Sequence, residues 1–348
     1  MKAPVLVIRC DAGFVPEIGT GHVVRSIRLA RQLCGSGVLA PGSIVFVTSE
    51  GGDFSLGLDF LKKSNFPVIS ENWQVLKANS DSEIQYLKSL NASVILMDRL
   101  DTTSKLIVSL QKAGSKVITF DDKGTGRNVA DLAVNAIFND VPDGSNLLKG
   151  YKYLILSGRE YKPTDALREV NRICVSFGGF DERDLASFFL DNLSRIKYKI
   201  EIDLILGRSN HCDKSQLLSK VEMVENAGGI RIHETPDDFH DIASKADIAV
   251  VSGGLTIFEF AAHGIPTISI PQYLHQLETI RKLESLGITL LGSAGMDIDS
   301  GVFLMALDRL VKSYELRKTM SLEAVNYVDG LGCERVSKAV AKVLSLDM

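Results

Sequence analysis

Short apolar runs alternate with amphipathic segments along the first third of the chain. The runs are four to six residues long, rich in β-branched residues and bounded by Gly, Ser or Asp, which is typical of strands. Between the first two runs, residues 22–34 place apolar side chains at helical spacing on one face. Strands that are apolar throughout, separated by helices, predict a parallel sheet covered by helices on both faces. The strands predicted here are Val5–Cys10, Ile44–Thr48, Val94–Met97 and Val117–Phe120.

A second series of the same kind follows a less periodic stretch, residues 139–168, which contains Pro and Asp-Gly. A helix is predicted over Leu255–Ala262. Two α/β halves of similar size predict two doubly wound, Rossmann-like domains that face a central cleft. We therefore expect an N-terminal domain over 1–150, a linker over 151–170 and a C-terminal domain over 171–348. The strands predicted in this half are Ile173–Phe177, Ile200–Leu206, Ile230–His233, Ile248–Val251 and Thr267–Ile270.

The last amphipathic segment of the chain, Cys333–Leu346, carries Val336, Val340 and Val343 along one side, which predicts a terminal helix. An amphipathic helix needs only some apolar surface to cover, so the spacing does not identify which domain it packs against. Its position in the chain assigns it to the C-terminal domain, although its apolar side is able to cover either domain.

The composition narrows the class of protein. Of the 348 residues 45% are hydrophobic, which excludes a disordered chain, and the length fits two domains. The net charge of −4 argues against a general nucleic-acid binder.

No apolar window is long enough for a signal peptide or a spanning helix, so we predict a cytoplasmic protein without stable membrane insertion. Five scattered cysteines predict neither a disulfide framework nor a cysteine zinc site, and we expect no metal and no other cofactor. The oligomeric state stays open.

A glycine-containing turn, Gly19-Thr20-Gly21, joins the first predicted strand to the first predicted helix. Ligands bind at this edge of open α/β sheets, and glycine lets the backbone approach a ligand closely. His22 begins the helix, and Arg25 lies three residues later on the same face. The spacing is not that of the dinucleotide-binding motif. We predict that Gly19, Gly21, His22 and Arg25 contribute to a ligand site; the alternative is that His22 only begins a helix.

A second turn, Ser252-Gly253-Gly254, lies between a buried strand and a predicted helix. The amide groups and the positive end of the helix make such a turn suitable for an anion, and Ser252 and Thr256 add hydroxyl donors. Glu259, one turn into the helix, is placed to accept a hydrogen bond from a ribose hydroxyl. The alternative is a tight turn without a ligand.

Two further places in the C-terminal half contribute candidate residues. Gly178-Gly179 follows a predicted strand and permits close backbone approach, while Asp181 is expected to cap the next helix. His275-Gln276 follows the last predicted strand closely enough to reach the same ligand.

Together these motifs resemble those of the UDP-sugar hydrolases of pseudaminic-acid biosynthesis and the related spore-coat polysaccharide proteins, which have the two-domain GT-B fold. The N-terminal resemblance rests on RCD at 9–11 and IGTGHVVR at 18–25. The C-terminal resemblance rests on FGGFD at 177–181, SGGLTIFE at 252–259 and DGLGCER at 329–335. It spans nearly the whole chain, and the G-x-G-H-x-x-R motif is its most specific part. The C-terminal pattern is shared with the wider set of GT-B glycosyltransferases, including the one that makes lipid II.

The resemblance implies that the C-terminal domain binds UDP, with the pyrophosphate at Ser252 to Thr256 and the ribose near Glu259. The sugar then points toward Asp11 and His22, and the histidine in the position of His22 serves the attacking water. A histidine side chain suits this role because it titrates near neutral pH. The leading hypothesis is an inverting, metal-independent UDP-sugar hydrolase acting on a diacetamido-trideoxy hexose. The alternatives are a GT-B glycosyltransferase with a UDP-sugar donor and a nucleotide-sugar-binding protein without turnover.

Two features depart from the family pattern. Residues 12–17 form a longer segment between Asp11 and the glycine motif than the family has, and Phe14 and Pro16 are expected to reshape the sugar pocket. His275 stands where the family typically has Asn before Gln. Both departures leave the identity of the sugar open rather than that of the nucleotide.

Overall fold

The chain folds into two compact units that do not coincide with its two sequence halves. The computed structural model describes residues 4–13, 20–157, 161, 166–179, 181–196, 198–207, 214–222, 229–234 and 239–345. The first unit comprises Met1–Gly158 and Gly330–Met348, and the second comprises Arg159–Asp329. The boundary between the units thus lies within the predicted linker, and the end of the chain returns to the first unit.

Seven parallel strands form one sheet in the described part of the first unit. They are β1 (Leu6–Cys10), β2 (Ile44–Glu50), β3 (Val68–Asn72), β4 (Val94–Asp98), β5 (Lys116–Phe120), β6 (Leu132–Asn135) and β7 (Leu147–Lys149). Their order is β3-β2-β1-β4-β5-β6-β7, so the direction of strand progression reverses between β1 and β4. All four strands predicted for this part are present. The sequence missed β3, which is polar and half-buried, and the short strands β6 and β7.

Helices cover both faces of this sheet. They are α1 (Gly21–Gly35), α2 (Ser55–Lys62), α3 (Asp81–Ser89), α4 (Ser104–Lys112) and α12 (Gly332–Ser345). Successive residues of β1 point to opposite faces: Leu6 and Ile8 join the apolar cluster that includes residues of α1 and α12, while Val7 joins the cluster that includes residues of α3 and α4. The apolar strands of the sequence are therefore buried on both faces, as predicted.

The terminal helix α12 packs on the first unit, and its assignment to the C-terminal domain was wrong. Val336, Val340 and Val343, the apolar side predicted from the spacing, lie in the same buried cluster as the apolar face of α1. Arg335 donates from Nη1 to the carbonyl of Lys152 at 2.9 Å. The spacing identified the face, but the surface that this face covers is a property of the tertiary fold.

The second unit is also a parallel α/β layer structure. Its strands, within the residues described, are β8 (Arg172–Ser176), β9 (Glu201–Leu206), β10 (Ile230–Glu234), β11 (Ile248–Val251), β12 (Thr267–Ser269) and β13 (Thr289–Leu291), in the order β10-β9-β8-β11-β12-β13. The helices are α5 (Leu185–Leu193), α6 (Lys214–Glu222), α7 (Phe239–Ala243), α8 (Leu255–Ala262), α9 (Leu274–Ser285), α10 (Ser300–Lys312) and α11 (Tyr314–Tyr327). All five predicted strands are present, and only the three-residue edge strand β13 was missed.

In the described residues of both units, no helix is both long and apolar enough to cross a membrane.

The start of α12 provides a test of its packing. A Cβ atom at Gly332 would overlap the backbone, lying 2.6 Å from the nitrogen of Leu154 and 2.7 Å from the carbonyl carbon of Tyr153. We expect Gly332→Ala to lower the free energy of unfolding of the first unit by about 1–3 kcal/mol. Gly35→Ala is the matched control, because a Cβ at Gly35 meets nothing within 4 Å.

Urea unfolding followed by tryptophan fluorescence makes this measurement specific. The chain contains one tryptophan, Trp73, and it belongs to the first unit. An unchanged midpoint for Gly332→Ala would contradict the close packing of α12 on this unit.

Candidate functional site

Polar side chains converge at the carboxyl ends of β1 and β4, where the strand order of the first sheet reverses. Asp11 follows β1, Asp98 is the last residue of β4, and His22 is the second residue of α1. Because β1 and β4 pair in parallel with Cys10 opposite Asp98, the two strand ends meet at one edge of the sheet. Open α/β sheets bind their ligands at such a reversal.

The carboxylate of Asp98 is fully buried and has several donors. Its oxygens accept from Nε of Arg25 at 2.9 and 3.0 Å, from Oγ of Ser26 at 2.7 Å and from Nδ1 of His22 at 2.7 Å. Burial by itself raises the pKa of this carboxyl group, but the Arg25 guanidinium and the His22 ring lower it well below its ordinary value. Asp98 is therefore ionised at neutral pH.

An ionised Asp98 sets the proton position on His22. Nδ1 of His22 lies 2.7 Å from Asp98 Oδ1 and 3.2 Å from Nη2 of Arg25. An ionised carboxylate only accepts hydrogen bonds, so the shorter contact, to Asp98, requires the proton on Nδ1, while Nη2 of Arg25 donates to the same carboxylate oxygen. Nε2 then has a free lone pair, and the described part of the chain offers it no hydrogen-bond partner. A histidine oriented by a buried carboxylate in this way is a competent proton acceptor.

Arg25 forms ion pairs that stabilise the carboxylate of Asp98. Its guanidinium is buried and bridges two carboxylates, Asp98 and Asp121. Asp121 adopts a positive φ of 45°, and its second oxygen accepts from the backbone nitrogen of Ile137 at 2.8 Å. The donors of Arg25 are directed at these protein carboxylates, so its predicted contact with a substrate stays a prediction.

Asp98 and Asp121 were not singled out from the sequence. Both follow strands that the apolar pattern did predict: Asp98 ends the run beginning at Val94, and Asp121 comes directly after Phe120. An acidic residue at the carboxyl end of a buried parallel strand was the available signal. What the sequence does not contain is the pairing of these carboxylates with Arg25, which lies 73 and 96 residues away along the chain.

Asp11 occupies a different electrostatic environment. Its Oδ1 accepts from Nη1 of Arg9 at 2.6 Å and from the backbone nitrogen of Ser49 at 2.7 Å. Burial raises the pKa of Asp11, but the charge and the hydrogen bond of Arg9 outweigh this and lower it from 3.8 to about 2. A carboxylate of such low pKa is a weak base, so it serves as a hydrogen-bond acceptor, and His22 is the better proton acceptor of the two.

A cavity of about 440 Å³ opens beside His22, and all of the residues that line it belong to the first unit. Its volume lies in the range of small-molecule sites. Its lining includes Asp11, His22 and Asp98 together with the sole tryptophan, Trp73. Within the described residues, no group of three or more His, Cys, Asp or Glu side chains is arranged to hold a metal ion.

The second unit carries the predicted turn between β11 and α8. Gly254 is the N-cap of α8, with φ −86° and ψ −159°, and among the described residues no side chain caps this helix. Ser252 is buried and its hydroxyl donates to the carbonyl of Phe177 at 3.1 Å, so this donor ties two loops together. Gly253 is buried, while Gly254 and Thr256 are half-buried at the start of the helix.

The loop after β8 lies against this turn. Gly178 has a φ of +87°, a conformation that favours glycine, and a Cβ there would lie 3.8 Å from the Ser252 hydroxyl. Gly179 follows it in the same loop. The N-cap residue of α5 is Asp184 rather than the expected Asp181, but the Asp181 side chain accepts from the backbone nitrogens of Leu185 and Ala186 at the start of this helix, both at 2.9 Å. Burial raises the pKa of Asp181 to about 6.

The other predicted ligand residues of the second unit have protein partners. Glu259 is buried in α8 and accepts a hydrogen bond from the Tyr161 hydroxyl. The imidazole of His275 stacks on the ring of Tyr273 with centroids 5.6 Å apart. Gln276 is buried, and its Oε1 accepts from the backbone nitrogen of Gln272 at 2.9 Å.

Gln276 also limits residue 253 to glycine. A Cβ at Gly253 would lie 2.8 Å from Cβ of Gln276 and 3.0 Å from its carbonyl oxygen. A glycine of the turn predicted to bind an anion is thus required by the packing of α9 as well.

Some predicted features lie outside the described residues. These are Gly19 and, with it, Phe14 and Pro16 of the longer segment; Gly21 is described and begins α1.

Comparisons with known proteins show the fold and a distant relative. No protein-family model matches the chain. It is 25% identical to the spore coat polysaccharide biosynthesis protein SpsG of Bacillus subtilis, over 95% of this chain and 96% of that protein. MurG of Acinetobacter baumannii has a TM-score of 0.73 at 17% identity, covering 97% of this chain and 100% of that one. The calicheamicin glycosyltransferase CalG4 has a TM-score of 0.62 at 13% identity, covering 99% of each chain. The predicted fold class, two Rossmann-like domains of the GT-B type, is confirmed.

The ion pair of Asp11 predicts how the first unit responds to acid. Because the pKa of Asp11 is lower in the folded chain than in the unfolded chain, its ionised form stabilises the fold above about pH 4, and this stabilisation is lost as the pH falls toward 2. The shift corresponds to about 2 kcal/mol. We expect wild type to lose about that much more unfolding free energy than Asp11→Asn between pH 7 and pH 2.5.

Urea unfolding at a series of pH values, followed through Trp73, measures the difference. Parallel pH curves for the wild type and Asp11→Asn would mean that the Arg9–Asp11 pair does not stabilise the folded first unit.

Proposed function

We propose that this chain is an enzyme that uses a UDP-sugar, with the diphosphate bound by the second unit and His22 of the first unit acting as the general base. The observation that carries the proposal is the buried Asp98 carboxylate, which orients the His22 ring and leaves Nε2 as an acceptor. The relation to a polysaccharide biosynthesis protein and the fold of a known glycosyltransferase support a nucleotide sugar as the substrate.

The proposed reaction is a displacement at the anomeric carbon. A hydroxyl oxygen attacks this carbon as its proton moves to Nε2 of His22, and the bond from carbon to the diphosphate oxygen breaks with its electron pair. Asp98 stabilises the imidazolium that forms. The diphosphate leaves as an anion, and the amide groups at Gly253 and Gly254 with the positive end of α8 stabilise it. Since these groups carry the charge stabilisation, the reaction requires no metal ion.

The nucleophile distinguishes two candidate functions. Transfer to a saccharide hydroxyl, for surface polysaccharide or glycan synthesis, is the function that the comparisons support best, because a curated relative is named for polysaccharide biosynthesis and a similar structure is a glycosyltransferase. Hydrolysis, with water as the nucleophile and a UDP-activated diacetamido-trideoxy hexose as substrate, is the second candidate. It is supported by the motif at 18–25 and by the charged lining of the cavity beside His22.

One assay separates the two candidates. The protein is incubated with a panel of UDP-sugars, with and without saccharide acceptors, and the release of UDP is measured. UDP release that depends on an acceptor identifies a transferase, and fast, sugar-selective release without one identifies a hydrolase. If the protein is a hydrolase, a reaction in ¹⁸O-labelled water should place the label on the sugar. Label in the diphosphate would contradict attack of water at the anomeric carbon.

The His22–Asp98 pair predicts a specific kinetic pattern. His22→Asn should lower kcat by roughly 10²- to 10⁴-fold, because the proton acceptor is lost. Asp98→Asn should also lower kcat, since a neutral amide no longer favours the proton on Nδ1. The dissociation constant for UDP should stay the same in both variants, because the nucleotide is assigned to the second unit. Near-normal kcat in His22→Asn would remove the base assignment.

The phosphate assignment is tested at Gly254. A Cβ at this residue meets nothing within 4 Å, so Gly254→Ala fits the fold and is the matched control. Gly254→Asp places a negative charge where the diphosphate is proposed to bind, and should raise the dissociation constant for UDP at least about tenfold. Isothermal calorimetry that finds equal UDP affinity in the Asp and Ala variants would move the nucleotide away from this turn.

A further inference from the structure

The cavity beside His22 has an aromatic side chain at its wall that the proposed mechanism does not use. Trp73 follows β3 directly, lines the cavity and is 40% exposed, although large apolar side chains are usually more buried. Given the proposed function, we propose that this cavity binds a carbohydrate ring and that Trp73 stacks against the C–H face of that ring. Trp73 would then determine sugar recognition without taking part in the chemistry.

A backbone hydrogen bond and a neighbouring glycine turn define the position of Trp73. Its backbone nitrogen donates to the carbonyl of Glu50 at 3.0 Å. Gly51 and Gly52, with φ of +91° and +58°, turn the chain beside the indole, and a Cβ at either glycine would lie 3.6–3.7 Å from the indole edge. The glycine turn therefore lies beside the edge of the indole and leaves room for no more than an ordinary side-chain contact there. An aromatic side chain placed in this way offers a large contact area at low entropic cost.

The cavity lining also contains polar side chains that are held in place by hydrogen bonds. Arg9 and Arg99 line the cavity, and the buried Glu83 holds both of them, through Nε of Arg9 at 3.1 Å and Nη1 of Arg99 at 3.1 Å. Asp11 also lines the cavity as an ionised acceptor. The lining thus contains donors and an acceptor in set positions.

This combination fits a carbohydrate better than the other ligand classes. A sugar ring has apolar C–H faces and a rim of hydroxyl groups, which matches a lining that combines the apolar side chains of Phe54, Trp73 and Leu76 with charged groups. A free phosphate would face the carboxylates of Asp11 and Asp101 as well as the cations. A lipid chain would meet the charged side chains of the lining.

The ring has two possible sources, the sugar of the nucleotide donor or a saccharide acceptor, and the fluorescence of Trp73 distinguishes them. Because Trp73 is the sole tryptophan, its emission reports on this cavity alone. We expect the emission to change with UDP-sugars if the donor sugar binds here, and with free mono- and disaccharide acceptors if the acceptor binds here. UDP alone, bound to the second unit, should leave it unchanged. Emission that stays constant in both arms at saturating concentrations would overturn the proposal.

Variants of Trp73 supply the second measurement. Trp73→Ala should raise the KM of the carbohydrate that changes the emission at least about tenfold, with kcat within about threefold and the UDP dissociation constant unchanged. Trp73→Phe should recover part of this loss. Val38→Ala is the control, since Val38 is similarly exposed in the first unit and does not line the cavity. An unchanged KM in Trp73→Ala would overturn the role of the indole.

The two proposals fail in different ways. If the assignment of the nucleotide to the second unit is wrong, calorimetry will detect no UDP binding. The titration with free saccharides would still test the cavity in that case. Normal UDP binding with constant Trp73 emission would instead reject the carbohydrate site and leave the proposed function intact.

Discussion

The carboxylate of Asp98 lies fully buried at the end of a central strand, where an unpaired charge would destabilise the fold by several kcal/mol. Arg25, Ser26 and His22 satisfy it, and all three belong to the first two turns of α1. This requirement fixes the position of α1 against β4 and, with it, the orientation of the His22 ring. Asp121 completes the arrangement by neutralising the outer side of the Arg25 guanidinium. The candidate base is therefore positioned by the same ion pairs that stabilise the first unit at this edge.

A comparable constraint operates in the second unit through hydrogen bonds rather than charges. The carbonyl of Phe177 accepts from the Ser252 hydroxyl and from Nε2 of Gln272, which joins the loops that follow β8, β11 and β12. Gln276 in turn holds the backbone of Gln272 and lies under Gly253. The predicted ligand residues Ser252 and Gln276 thus shape the turn at the start of α8. The groups left to meet a diphosphate are the backbone amides of the turn and the half-buried Thr256.

The sequence predicts features that depend on residues close together in the chain, and it misses features that depend on residues far apart. Apolar runs gave most of the interior strands, because these are buried on both faces. Three of the missed strands, β3, β7 and β13, lie at sheet edges and are polar or only three residues long, and the fourth, β6, is buried but has only four residues, the last of them Asn. The helix over 332–345 was predicted by its periodicity, but its placement on the first unit depends on contacts with α1 far away in the chain. His22 was found through a local motif. Asp98 was missed because its partnership with Arg25 exists only after β4 pairs with β1.

The proton position on His22 tests the central claim most directly. With ¹⁵N-labelled histidine, and with His22→Asn used to assign the signal among the 6 histidines, NMR reports which ring nitrogen is protonated. We predict that neutral His22 carries its proton on Nδ1, with Nε2 bare, and that Asp98→Asn weakens this preference. A neutral ring protonated on Nε2, in the wild type with Asp98 in place, would contradict the role of the buried carboxylate and the assignment of His22 as the base.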